Sequence, residues 1–226
     1  MSVWGTPLLT GGGDGAAPSL SPMLLSPYGA ASYRLVGGRV LTGFHNNYGF
    51  LAPADDSGAW LDVDWSGAWE IGCAFSQGDV SGHFVLFGEE NSTSRSSDVP
   101  GAEVNGTTLG RGVSTSGGTA WANWYNFSGV TIDANRWFFF RLTYDPATKT
   151  LTSALTGDFS DYVTHSVTLS AHPYHNASYR LGFGGLMRSG VFSKASGRLD
   201  LWNTYIKVNG ALVWGAYTGA FPTEGG

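Results

Sequence analysis

Two alternating runs, Tyr205–Val208 and Ala211–Trp214, meet at Asn209-Gly210. No other short signal limits the fold of this chain as much. Both turn residues tolerate a positive φ, which a two-residue hairpin turn needs and most residues resist. Such a turn pairs Val208 with Ala211, Lys207 with Leu212, Ile206 with Val213 and Tyr205 with Trp214. Ile206, Val208, Ala211 and Val213 then form a core face, and the other face carries Tyr205, Lys207, Leu212 and Trp214. Upstream, Leu199 and Leu201 share a parity that Ile206 and Val208 do not continue. A bulge or bend around Trp202-Asn203-Thr204 is expected.

The chain from about Tyr33 onward follows the same pattern. No window of eleven or more residues carries a 3.6-residue apolar period. In residues 135–157, Phe138, Phe140, Leu142 and Tyr144 share one parity, and Trp137, Phe139, Arg141 and Thr143 the other. The run breaks at Asp145-Pro146, and the alternation resumes at Leu151, Ser153 and Leu155, so a hairpin with a four- or five-residue loop is predicted. Gly37-Gly38 predicts a two-residue hairpin, and Leu61 and Val63 alternate with Asp62 and Asp64 as in a strand. Residues 68–76 and 83–90 read as inner strands; 89–108 reads as a long polar connection holding at most one short strand. Strands spaced this closely, without helices, indicate a sandwich or jelly roll.

Composition agrees and excludes some partners. The 226 residues include 34 Gly, 42% are hydrophobic and only 13% charged, which allows a large core beneath uncharged polar loops. Net charge is −5 with no Lys/Arg cluster, which argues against nucleic acid and anionic membranes as partners. The single cysteine, Cys73, rules out an intrachain disulfide and reads as a small buried hydrophobe. No stretch is apolar enough to span a membrane, and the N-terminus lacks the basic and apolar regions of a signal peptide.

The closing strands resemble those of concanavalin A-like (laminin-G-like) domains in bacteriophage virion proteins, tail and receptor-binding proteins especially. The resemblance is carried by Gly197, Leu199, Asp200, Leu201, Tyr205, Ile206, Lys207, Val208, Asn209, Gly210 and Trp214. Residues 135–151 are similar to that family's Trp-containing strand and Tyr-Asp turn, and 60–76 to its early strand pair. The resemblance covers about residues 59–215 and implies an all-β fold: an antiparallel β-sandwich, a concanavalin A-like jelly roll. It says little about activity, because such folds host lectins, glucanases and structural modules.

Candidate chemistry is sparse. Asp62 and Asp64 would lie roughly 6–7 Å apart along one strand face. Both glutamates of the family's glycosidase pattern are missing, and the pair reads as solvated aspartates. His172 and His175 sit in a proline-containing loop without a third metal ligand nearby, and Asp55, Asp56, Asp79, Glu89 and Glu90 show no calcium-loop spacing. No catalytic residue, metal or cofactor is expected. The segment 119–129 gathers Trp121, Asn123, Trp124, Tyr125 and Asn126, and a second stretch gathers Asn46, Asn47 and Tyr48. Rings stack on the apolar faces of sugars while amides exchange hydrogen bonds with hydroxyls, so these residues are candidate carbohydrate contacts, with strand packing and turn formation as the alternatives.

Residues 1–32 form a Gly/Pro/Ala/Ser-rich segment whose Leu8, Leu9, Leu20, Met23, Leu24, Leu25 and Tyr28 would be an exposed apolar burden on a solvated linker. An extended N-terminal arm ordering against a partner subunit is expected, followed by a sandwich over 33–219 and a flexible tail over 220–226. The opening Met and the length lead us to expect a complete small protein. The functional expectation is a non-enzymatic, homo-oligomeric virion protein, tail-associated or on the capsid surface. The arm would hold it to other virion proteins, and a lectin-like domain would meet host-surface glycans. A free-standing lectin module or a glycan hydrolase are the competing readings.

Overall fold

The computed structural model describes residues 23–25, 34–42, 51–55, 57, 59–78, 83–90, 99–116, 125–177, 180–184 and 197–223. Among them there are strands and turns but no helix. In chain order the strands are β1 (Met23–Leu25), β2 (Arg34–Val36), β3 (Val40–Thr42), β4 (Leu51–Pro53), β5 (Trp69–Gln77), β6 (His83–Glu90), β7 (Gly101–Asn105), β8 (Thr108–Gly112), β9 (Tyr125–Asn126), β10 (Trp137–Asp145), β11 (Thr150–Thr156), β12 (Val163–Thr168), β13 (Arg180–Phe183), β14 (Gly197–Val208) and β15 (Ala211–Gly215). Seven form one sheet in the order β1-β4-β13-β6-β7-β8-β9. The other eight form a second, β12-β11-β10-β5-β14-β3-β2, with β15 beside β14. Every described pairing is antiparallel.

The inner faces meet in one aromatic-rich core. Phe138, Phe140, Leu142 and Tyr144 of β10 point into it, as their shared parity predicts. Across the layer Phe87 stacks on Phe140 and Phe183 on Trp214, with centroids 6.0 and 5.3 Å apart, and within the second sheet Phe75 stacks on its cross-strand partner Phe138 at 5.8 Å. Each fully buried ring of this kind contributes about 1.5–3 kcal/mol over leaving it exposed. Cys73 lies at 0% exposure within the core, where burial pushes its thiol far above the usual range, so it is inert.

The second sheet is covered on its outer face too. Phe139, of the opposite parity, packs there with Tyr205 and Ala74 beneath Phe159, Tyr162 and Phe221. Tyr217 closes on Phe139 at 5.4 Å. The chain therefore stays docked beyond residue 219. Phe221 lies 4.4 Å from Phe159, and the Ala220 carbonyl accepts from Asn203 Nδ2 at 2.8 Å and from Arg39 Nη2. Residues 224–226 of the expected tail lie outside the described residues.

The β10–β11 hairpin has the predicted loop, residues 146–149, closed by the Asp145 carboxylate accepting from Ala147 N (2.9 Å) and Thr148 Oγ1 (2.8 Å). The expected bulge in β14 is also present. Asp200 pairs with Ala74 but Thr204 with Cys73, so three residues loop out and the facing parity reverses. Four expectations need correction. The Gly37-Gly38 hairpin carries a three-residue loop, because Val36 pairs with Val40 and Arg39 joins the turn. The segment 89–108 holds β7 and the start of β8 where at most one strand was expected, since Ala102, Val104 and Leu109 alternate into the core. Residues 61–64 form no strand: the pairing that the Asp55 turn closes stops at the Ala54–Trp60 bridge and the Leu61 N to Pro53 carbonyl bond, and the Asx turn at Asp64 then bends the chain. The Asn209-Gly210 turn keeps Val208 opposite Ala211 and Lys207 opposite Leu212, but a bulge then sets Ile206 opposite Trp214. Trp214 thereby reaches the core, Tyr205 the outer aromatic layer, and Val213 becomes 36% exposed.

Met23–Leu25, counted with the arm, pair with β4 as β1 of the first sheet. Leu8, Leu9, Leu20 and Tyr28 lie outside the described residues.

Candidate functional site

The outer face of the seven-stranded sheet holds the site, at the β7–β8–β9 end. Ala102, Val104 and Leu109 fill the core, so strand alternation turns Glu103 and Asn105 of β7 and Thr108 and Gly110 of β8 outward. Two cross-strand rows result. Glu103 faces Gly110, which faces Asn126 of β9; beside them Asn105 faces Thr108. Gly110 sits mid-row without a side chain and leaves a dip between the carboxylate and the amide. The dip encloses about 420 Å³ and is lined by Glu103, Asn105, Thr108, Gly110 and Asn126. That volume lies within the ~300–1,000 Å³ of small-molecule sites. Its lining offers a carboxylate acceptor, two amides and a hydroxyl, able to exchange hydrogen bonds with a hydroxyl-rich ligand. Glu103 is only 8% exposed and forms the closed end.

β9 is two residues long, and its inward residue anchors it. Tyr125 lies over the Arg111 guanidinium at 4.9 Å and 5.9 Å from the His165 ring. Arg111 is fully buried and ties the sheets together. Its Nε donates to Ser153 Oγ at 2.9 Å and its Nη2 to His165 Nδ1 at 2.6 Å. Burial lowers its pKa to about 10, which still leaves it a cation at neutral pH. Next to β9, Phe127 N donates to the Leu109 carbonyl at 2.7 Å. Asn126 is thus presented by a strand fixed from behind.

Of the sequence candidates, Asn126 lies in the dip, while Tyr125 faces the opposite way, onto Arg111. Trp121, Asn123, Trp124, Asn46, Asn47 and Tyr48 lie outside the described residues. Glu103, Asn105, Thr108 and Gly110 were not singled out from the sequence, although the alternation around Asn105-Gly106 carried the signal. Asp62 and Asp64 share no strand face. Asp62 lies 3.7 Å from His175 Nε2, and Asp64 is spent on the Ser66 turn, whose hydroxyl and amide hold its carboxyl below the usual range. His172 Nδ1 is bonded to the Tyr144 hydroxyl at 2.8 Å. Among the described residues no three His, Cys, Asp or Glu side chains gather as metal ligands do.

No family model matches the chain, and no curated protein matches it. Solved structures do. The botulinum neurotoxin serotype D binding domain superposes on 84% of this chain with a TM-score of 0.54 and 6% identity. Arcelin-5, a lectin-like defense protein from Phaseolus vulgaris, covers 83% with a TM-score of 0.50 and 11% identity. The binding domain of botulinum neurotoxin DC in complex with SialylT covers 84% at 0.50 and 10%. The fold is that of a jelly-roll, lectin-like β-sandwich. The chain spans 93% of arcelin-5 but only 44% of each of these neurotoxin binding domains.

Proposed function

We propose that this chain is a non-enzymatic carbohydrate-binding module, and that the dip over Gly110 is where it holds sugar. The dip carries the reading: a carboxylate, two amides and a hydroxyl converge on one open floor built by a rigid sheet. Lectin-like neighbours of the same fold, one of them solved with SialylT, give the reading company. Those likenesses extend to fold alone, so function here rests on the site. A binding role is favoured over hydrolysis because the aspartate pair weighed for catalysis is dispersed on a loop.

Glycan binding by the full chain, measured by array and then by calorimetry, tests this directly. Asn126→Ala removes one or two hydrogen bonds to the ligand and is expected to weaken binding roughly three- to tenfold. Thr164→Ala, on β12 of the other sheet, should leave it unchanged. A wild-type chain that binds no glycan, or an Asn126→Ala chain that binds as well as wild type, would contradict the proposal.

The setting we propose is a bacteriophage particle, tail-associated or on the capsid surface, with the module meeting host-surface glycans and the chain in a homo-oligomer. The pattern from Gly197 to Trp214 supports this, together with the apolar residues Leu8, Leu9 and Leu20 ahead of the sandwich. Antibody labelling of purified particles would find the chain on their surface; particles without label would remove the setting and leave the module.

A further inference from the structure

We infer that the free edge of β12 is a homodimer interface, where a second copy of this chain pairs antiparallel about a twofold axis at Ser166. The inference is independent of glycan binding, and it names the interface for the homo-oligomer proposed above.

β12 ends the second sheet and is paired on one side only, with β11. Unpaired edges invite other chains, and native proteins blunt them with short strands, bulges, prolines or charges. Among the described residues the other edges are blunted. β1 and β2 are three residues long, β9 is two, and a bulge interrupts the β14–β15 ladder. β12 has none of these devices. Its six residues include no Lys, Arg, Asp, Glu or Pro, and its register with β11 is unbroken. Thr164, His165, Ser166 and Thr168 are exposed, and Val163 is 38% exposed. The His165 ring is turned away from the edge, toward Arg111 and Tyr125.

Two bonds give the direction of the free backbone groups. Leu169 N donates to the Lys149 carbonyl, and Ser153 Oγ to the His165 carbonyl, so the odd-numbered residues here serve β11. Backbone direction alternates along a strand, which leaves the N–H and C=O of Thr164, Ser166 and Thr168 pointing outward. An axis at Ser166 sets Ser166 opposite its own copy and Thr164 opposite Thr168 of the second copy. Three N–H donors on each copy then meet three carbonyls on the other, six bonds in all. An axis at any other residue leaves some of these groups unpaired.

The side chains agree with this register. Opposed residues share parity, so both copies keep the same face outward. On the outer face hydroxyl meets hydroxyl, as Thr152 Oγ1 and Ser166 Oγ already do at 2.9 Å across β11 and β12. On the inner face Val163 meets Leu169 of the second copy, and His165 meets Val167. With no charged Lys, Arg, Asp or Glu on β12, self-pairing sets no like charges against each other. The axis also places the dips. Tyr125 of β9 lies 5.9 Å from the His165 ring, so the two β9 strands and the Gly110 dips beside them flank the axis and face the same way. On the glycan-binding reading, such a dimer is bivalent toward a surface.

Sedimentation velocity of the full chain at micromolar concentration tests this, and the wild type should dimerise. Ser166→Pro removes an outward N–H that β11 does not use, so it should stay folded and associate about tenfold or more weakly. Cysteine cross-linking is a second measure should that variant fail to fold. Ser166→Cys places two thiol-bearing residues about 5.5 Å apart at Cα, within the ~4.4–6.8 Å of a disulfide, and should cross-link on mild oxidation. Thr164→Cys lies more than about 13 Å from its copy and should not. Cys73 is fully buried and stays out of the reaction. A monomeric wild type overturns the inference and the homo-oligomer together. A dimer that folded Ser166→Pro leaves intact, or one that Thr164→Cys cross-links as fast as Ser166→Cys, overturns the β12 pairing while the homo-oligomer stands.

Discussion

Replacing Asp200 by Ala should cost about 3–5 kcal/mol and lower the melting temperature by on the order of 10 °C. Asp200 is fully buried and ties three separate parts of the chain together. Arg39, in the turn between β2 and β3, donates to it through Nε at 2.9 Å and Nη2 at 3.0 Å. Asn203 Nδ2 donates at 2.7 Å, and the Trp202 amide at 3.2 Å. Asn203 passes the connection on, since its Oδ1 accepts from Thr218 N at 2.9 Å and Gly219 N at 3.0 Å. The looped-out residues of β14 are therefore a latch that holds the C-terminal segment over the outer aromatic layer. Alanine strands the Arg39 guanidinium, 18% exposed and stacked 4.8 Å above Trp202, without its counter-charge. Asp200→Asn keeps the shape and most acceptors and should cost less. Urea unfolding of both variants measures the effect; a loss under ~1 kcal/mol for Asp200→Ala would show that the latch is not a stability element.

Gly215→Ala should be comparably damaging, about 3 kcal/mol or more, for a different reason. Gly215 ends β15 at a φ of +83°, where an L-residue is strained, and an added Cβ would come within 2.8 Å of Tyr205 Cα and overlap the Thr204 carbonyl oxygen. Those obstacles are backbone atoms in the centre of β14, which cannot swing aside. Gly210→Ala is the control. Its φ is similar, +80°, but a Cβ there meets nothing within 4 Å, so only the backbone strain of ~1–2 kcal/mol is expected. Equal losses at the two positions would mean that the close approach of β15 to β14 contributes nothing.

Much of the fold was legible because strand alternation and turn chemistry act over a few residues. Asn209-Gly210, with φ of +50° and +80°, forms the predicted turn, and the lost parity upstream of Thr204 announced the bulge in β14. The bulge opposite Ile206 was not legible. It seats Trp214 against Phe183, a contact between residues far apart in sequence that local alternation cannot encode. The same limit hid most of the site. Asn126 stood out because it sits among aromatic rings. Glu103 and Gly110 acquire meaning only when β7, β8 and β9 align them in one row. Tyr125 looked like a sugar platform for the same local reason, and Arg111, its cross-strand partner on β8, takes its ring instead.

The central claim is where sugar binds, and backbone amide resonances of the full chain during titration with a bound neutral oligosaccharide test it most directly. The largest shifts should fall on Glu103, Asn105, Thr108, Gly110 and Asn126, with Phe139, Tyr205, Lys207 and Tyr217 on the opposite outer face unmoved. Shifts concentrated on that opposite face, with the β7–β8–β9 row silent, would contradict the assignment of the site.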